Sequence, residues 1–142
     1  MIHDLLTLEA YFATFKDHFG IADFVYGNAD DILNRKNNVI RYPALWLELM
    51  EERIDANDHV LFDIRLTLQE NAGNNAREID RVTVNNLRKI LRQILQKMRD
   101  DSPNKLVFYS TTARFEYKEA FANDNELLAQ VTVTIGAINP CE

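Results

Sequence analysis

Between Ile79 and Met98 the chain reads IDRVTVNNLRKILRQILQKM, with neither Gly nor Pro to interrupt it. At about 100° per residue, Val84, Leu87, Leu91, Ile94, Leu95 and Met98 share one face, with Thr83 and Ile90 on its flank. Arg77 and Glu78 open the segment, and Asp100-Asp101-Ser102-Pro103 closes it, because proline cannot continue a helix. A long helix with one apolar face must bury that face against another layer. Strand-like hairpins lie before and after it, so the helix is expected to bridge two half-sheets. Val82 is a misfit that points away from the stripe: either the first turn is offset or Val82 meets a partner.

The rest of the chain supplies the other layer. His3 to Phe19 reads as a first helix, with Leu5, Leu8, Phe12, Phe15 and Phe19 on one stripe, Tyr11 beside it and Gly20 as the stop. Its polar face holds Asp4, Glu9, Lys16 and Asp17, the wrong balance for a membrane-surface helix. Residues 20–38 read as a long variable loop, with a short helical turn near Asp31 to Arg35. Within it Phe24, Val25 and Tyr26 either plug the edge of the core or form a contact arm for another subunit.

Val39 to Glu52 alternates as a strand, with Pro43 at its start or on an edge. Glu51 to Asp58 makes the hairpin connection, and His59 to Glu70 is the second strand, Val60, Phe62, Ile64, Leu66 and Leu68 facing one way. Asn71 to Asn75 turns the chain into the long helix. Leu106 to Lys118 is a third strand, Ala122-Asn123-Asp124-Asn125 a turn, and Leu127 to Ile138 the last strand. The expected fold is one α+β domain over 1–142, a two-layer sandwich in the order α-β-β-α-β-β. It has a four-stranded antiparallel sheet with the helices on one face and a loose tail at 139–142.

The 142 residues suffice for one domain with a proper core, and 46% hydrophobic with 27% charged residues is ordinary for a globular chain. A net charge of -6 argues against general affinity for nucleic acid but leaves a local basic patch open. The opening MIHDLLTLEAYF carries Asp4 and Glu9, no basic n-region and no cleavage site, so no secretory signal is expected. No run of about 18 apolar residues predicts a membrane span. The single Cys141 cannot form an internal disulfide, which suits a reducing, cytoplasmic setting.

Catalytic groupings do not emerge. His3, His18 and His59 each adjoin an aspartate but sit in three separate elements, and no Cys or His pair has metal-ligand spacing. No catalytic, cofactor or metal residues are assigned, and the chain is expected not to be an enzyme. Two surfaces are the candidates instead. Arg77 to Arg99 holds seven of the 16 basic residues against two acidic ones, and Arg81, Arg88, Arg92 and Arg99 line one shoulder of the helix. That ridge is a solvated face, an ion-pair interface with an acidic neighbour, or a phosphate-contacting edge. No aromatic for base stacking is visible on the helix itself. The wet face of the sheet is the second candidate, where Trp46, Leu61, Phe108 and Leu128 would make a patch larger than a lone monomer usually exposes. An oligomer interface explains that patch, and so does a helix-like segment from residues 20–38 folding over it. Arg81, Arg88, Arg92, Arg99, Trp46, Phe108, Phe24 and Tyr26 are therefore the candidate interface residues.

The rhythm of the chain resembles the tail-terminator or tail-completion proteins of long-tailed phages and related elements. The likeness rests on a strand with an early proline (RYPALWLEL), a dense alternating strand (HVLFDIRLTLQE) and the long helix REIDRVTVNNLRKILRQILQKM, and it covers roughly Met1 to Ile138. A generic ferredoxin-like or other α+β domain has the same order of elements. The resemblance implies a structural protein that forms a ring with copies of itself, often a hexamer. The ring caps the tail tube and meets the head connector, with no cofactor and no membrane. Two other readings stay open: a small ligand-binding or enzymatic domain with its pocket between the sheet and residues 20–38, and a nucleic-acid adaptor working through the Arg ridge.

Overall fold

The computed structural model describes residues 1–27, 41–71, 77–109, 113–118 and 126–138. The expected helical turn near Asp31 to Arg35, the turn at 122–125 and the tail at 139–142 lie outside the described residues. The elements are α1 (Leu5–Ala13), β1 (Asp23–Tyr26), β2 (Ala44–Ile54), β3 (Val60–Asn71), α2 (Arg77–Asp101), β4 (Val107–Phe108), β5 (Arg114–Lys118) and β6 (Glu126–Gly136).

The fold is α+β, but the sheet is not the expected four-stranded antiparallel one. It has six strands in the order β1-β2-β3-β6-β4, with β5 also paired to β6. It is mixed, because β1 runs parallel to β2, with Phe24 opposite Leu45 and Val25 opposite Trp46. The residues read as a pure loop thus contain a strand. Four residues, DFVY, are too few to carry a period, and their pairing partner lies some twenty positions away.

β2, β3 and β6 form the antiparallel centre. Leu45, Leu47 and Leu49 stand opposite Leu68, Leu66 and Ile64, and these in turn oppose Ala129, Val131 and Val133. A register shift between Leu49 and Glu51 marks a bulge at Met50. The apolar side of this sheet and the buried faces of both helices make one cluster, including Leu8, Phe12, Leu87, Leu91, Ile94 and Met98. Each fully buried Leu or Phe removes enough apolar area to contribute about 1.5–3 kcal/mol. All six stripe positions of α2 are buried, and Val82 is 61% exposed.

α1 is shorter than its apolar stripe suggested. Asp4 caps it: the carboxylate accepts from the Thr7 backbone N–H at 2.8 Å, and the Thr7 hydroxyl accepts from the Asp4 N–H at 3.0 Å. After Ala13 the backbone tightens to bonds three residues apart, Phe15 N–H to Phe12 O, Lys16 to Ala13 and His18 to Phe15. Asp17, Phe19 and Gly20 then take positive φ, which ends the helix. Phe15 stays buried through this turn, whereas Leu5 and Phe19 are exposed.

The third strand is two strands. Phe108 opposes Ile135 and Arg114 opposes Thr132, so six steps of chain face three steps of β6 and the two segments keep separate registers. In one continuous strand Phe108 and Phe115 would face opposite ways. Here both turn toward the helices and pack on the main cluster. The expectation that Phe108 lies on the wet face is therefore corrected.

Two ties close the molecule. The Ile2 N–H donates to Lys105 O and the Ile138 N–H donates to Ile2 O, both at 2.7 Å. The Tyr11 hydroxyl donates to Asp101 Oδ2 at 2.7 Å, joining α1 to the end of α2. Lys97 Nζ reaches the same carboxylate at 3.0 Å and Lys105 Nζ at 3.9 Å. A carboxylate at a helix C-terminus opposes the helix dipole, and the two ammonium groups offset that. No described helix is long and apolar enough to cross a membrane.

Candidate interaction surfaces

Positions 81, 88, 92 and 99 recur at sevens and fours, so a straight helix stacks them on one shoulder. α2 lies across β3 and β6 with that shoulder turned toward β5. The seam between α2 and β5 opens into a groove of about 700 Å³ lined, among the described residues, by Lys89, Arg92, Gln93, Leu95, Gln96, Arg99, Ala113 and Phe115. Further toward the start of α2 a recess of about 240 Å³ is lined by Arg81, Val84, Asn85, Arg88 and Tyr117. The ridge thus becomes the wall of a trough with an apolar floor.

The aromatics missing from the helix come from the strands. Phe115 opposes Val131 and Tyr117 opposes Ala129, which sets both rings on the helix side of the sheet. The two rings stack, with centroids 6.3 Å apart and planes 6° from parallel. The Arg99 guanidinium sits 5.3 Å from the centre of the Phe108 ring, in cation–π range. Lys89, Phe115 and Tyr117 are the members that the sequence reading left off this surface. Period-two alternation put Phe115 and Tyr117 on the core side, but nothing in it revealed that they reach the core's rim.

No described carboxylate makes an ion pair with Arg88, Lys89, Arg92 or Arg99. On the far face of the sheet two arginines are matched. Arg53 forks onto Asp63 through Nε at 2.8 Å and Nη2 at 2.9 Å, and Arg65 binds Glu48 at 2.5 Å. The Thr134 hydroxyl also donates to Asp63. The Arg53 hydrogen bonds, helped by that of Thr134, hold the Asp63 carboxyl below its usual pKa despite partial burial. This ladder stiffens the β2–β3 hairpin on the face away from the helices.

The tip of that hairpin carries the opposite sign. Glu51, Glu52 and Asp58 are exposed, and Ile54 among them is 69% exposed. Asp55 is committed internally: its carboxylate accepts from the His59 and Asn57 N–H groups at 2.9 and 2.8 Å, which lowers its pKa. Of the acidic stretch from Glu48 to Asp58, then, Glu48 and Asp55 are engaged and the other three face outward.

The expected wet-face patch is not present in that form. Trp46 does lie on the face away from the helices, but it is only 4% exposed, packed with Val25 and Ala44 and flanked by Tyr42. β1 brings Val25 alongside it. Leu61 and Leu128 are half-buried. Phe24 and Tyr26 pack against the main core from the other side of β1. Burial, then the nearby charges of Glu9 and Glu52, push the Tyr26 phenol up. Among the described residues no three His, Cys, Asp or Glu side chains gather to hold a metal ion.

No protein-family model and no curated protein matches this sequence.

Proposed function

We propose that the protein is a structural component that works by assembling with copies of itself and with neighbouring proteins, as a ring-forming tail terminator of a phage-type tail that meets tube and connector proteins. The observation behind this reading is the division of charge between two unlike surfaces. A trough walled by Lys89, Arg92 and Arg99 lies along β5, and an acidic, apolar-tipped hairpin projects from β2 and β3. β6 lies between them. Unlike complementary surfaces favour head-to-tail contacts, and such contacts close into a ring when the rotation between copies permits.

Light scattering on the purified chain tests this. At low salt the mass should be a multiple of 16.5 kDa, and it should fall as salt rises and screens the contact. Negative-stain images of the low-salt species should show annular particles. A single-chain mass at about 100 µM and low salt would overturn the assembly reading; a defined oligomer that is not annular would overturn the ring.

A second reading is favoured by one observation. The stacked Phe115 and Tyr117 rings across from Arg88 and Arg92 are the combination that single-stranded nucleic acid uses. It requires binding of an oligonucleotide that weakens steeply with salt.

A further inference from the structure

Building on the assembly reading, we infer that the occupant of the α2–β5 trough is the β2–β3 hairpin tip of a second copy of this chain. The two surfaces match in chemistry, size and reach. The trough has a basic wall, Lys89, Arg92 and Arg99, and an apolar floor, Leu95, Ala113 and Phe115. The hairpin has an apolar tip, Ile54, among the exposed carboxylates Glu51, Glu52 and Asp58. Ten helix steps from Lys89 to Arg99 make about 15 Å of wall. Four strand steps from Met50 to Ile54 make about 13 Å of hairpin edge.

The alternation fixes which side of the hairpin can enter. Glu52 opposes Phe62 and Ile54 opposes Val60, so both project from the side that carries the core further down. At the end of the core on that side Glu52 and Ile54 are exposed together. The hairpin cannot bend into the trough of its own chain. β3 is held to β6 from Leu61 to Asn71, and the Arg53–Asp63 fork braces the hairpin close to its tip. Only a second copy can bring tip and trough together. The contact places Ile54 on the Phe115 floor and the Glu52 carboxylate against Lys89 and Arg92, while Glu51, opposite Asp63, stays on the far face.

Two charge-reversed variants provide the test: Lys89→Glu with Arg92→Glu, and Glu52→Lys. All three positions are exposed, and circular dichroism melts check that each variant folds. Each variant alone should give the single-chain mass, and an equimolar mixture should regain the wild-type mass, because each supplies the surface that suits the other. Oxidation of an Ile54→Cys, Gln93→Cys double variant in a Cys141→Ser background should give a ladder of disulfide-linked chains. A wild-type oligomer that survives both reversals, or a mixture that stays monomeric, overturns this inference and leaves the assembly reading standing. A wild type that is itself monomeric overturns both. Loss of single-stranded DNA binding in the Lys89→Glu, Arg92→Glu variant without any change in mass assigns the trough to nucleic acid instead.

Discussion

Asp101 does more than any other single charged side chain to join the two helices. Its carboxylate is 8% exposed and takes Tyr11, Lys97 and Lys105 at once. Burial alone would raise its pKa, but the Tyr11 hydroxyl and the two ammonium groups outweigh that and hold it low. The same burial, with the hydrogen bond to Asp101, pushes the Tyr11 phenol far up. A depressed carboxylate pKa gives stability that is present above the unfolded value of about 3.9 and lost as pH falls through the folded value. Asp101→Asn should therefore cost about 1–3 kcal/mol at neutral pH, and less in strong acid. Urea midpoints from pH 7 to pH 2 should show the gap between wild type and variant closing below about pH 4; a constant gap would contradict the assignment. Gly136 is the other residue with a specific demand. A Cβ there would run into the Tyr109 ring, which lies against it. Gly136→Ala should destabilise by about 1–2 kcal/mol by overpacking. In a double-mutant cycle Tyr109→Ala should relieve most of that cost, as read from thermal melts.

Among the elements, the long helix and β3 were legible because their periods extend over many turns or pairs. Every residue placed on the α2 stripe is buried, and Phe62, Ile64, Leu66 and Leu68 of β3 are too. The misreadings share one physical cause: they depend on partners far along the chain. β1 is four residues whose identity as a strand comes only from β2. The parity flip between Phe108 and Phe115 arises because β4 and β5 each find their own place on β6. Trp46 reads as a surface residue until Val25 is set beside it. The Arg ridge was visible as a line of charge, but its floor of Phe115 and Ala113 comes from an element whose edge position no local pattern encodes. The Val25–Trp46 contact is testable by itself, since Trp46 is the only tryptophan. Its buried indole should emit at short wavelength. Val25→Asp places an unpaired carboxylate against it, and emission should move to the red while helical circular dichroism is kept. Unchanged emission would mean that β1 does not cover the ring.

At the scale of the whole molecule, the net charge of -6 hides its distribution. On the face away from the helices, charges are spent on one another, Glu48 with Arg65 and Arg53 with Asp63. Arg88, Lys89, Arg92 and Arg99 of α2 and the exposed Glu52 and Asp58 of the hairpin tip make no ion pair among the described residues. Salt dependence of the mass is the expression of this arrangement at that scale, and it should be lost in either charge-reversed variant.

The Ile2 backbone touches both Lys105 and Ile138, and β6, formed late in the chain, lies between β3 and the short strands. Growing from the ribosome, the polypeptide has made the two described helices and five of the described strands before the middle of its sheet exists. Those parts must wait with their apolar faces open until the final stretch threads in among them, so a nascent chain stopped before Glu126 lacks the keystone of the fold, and with it any native state to hold.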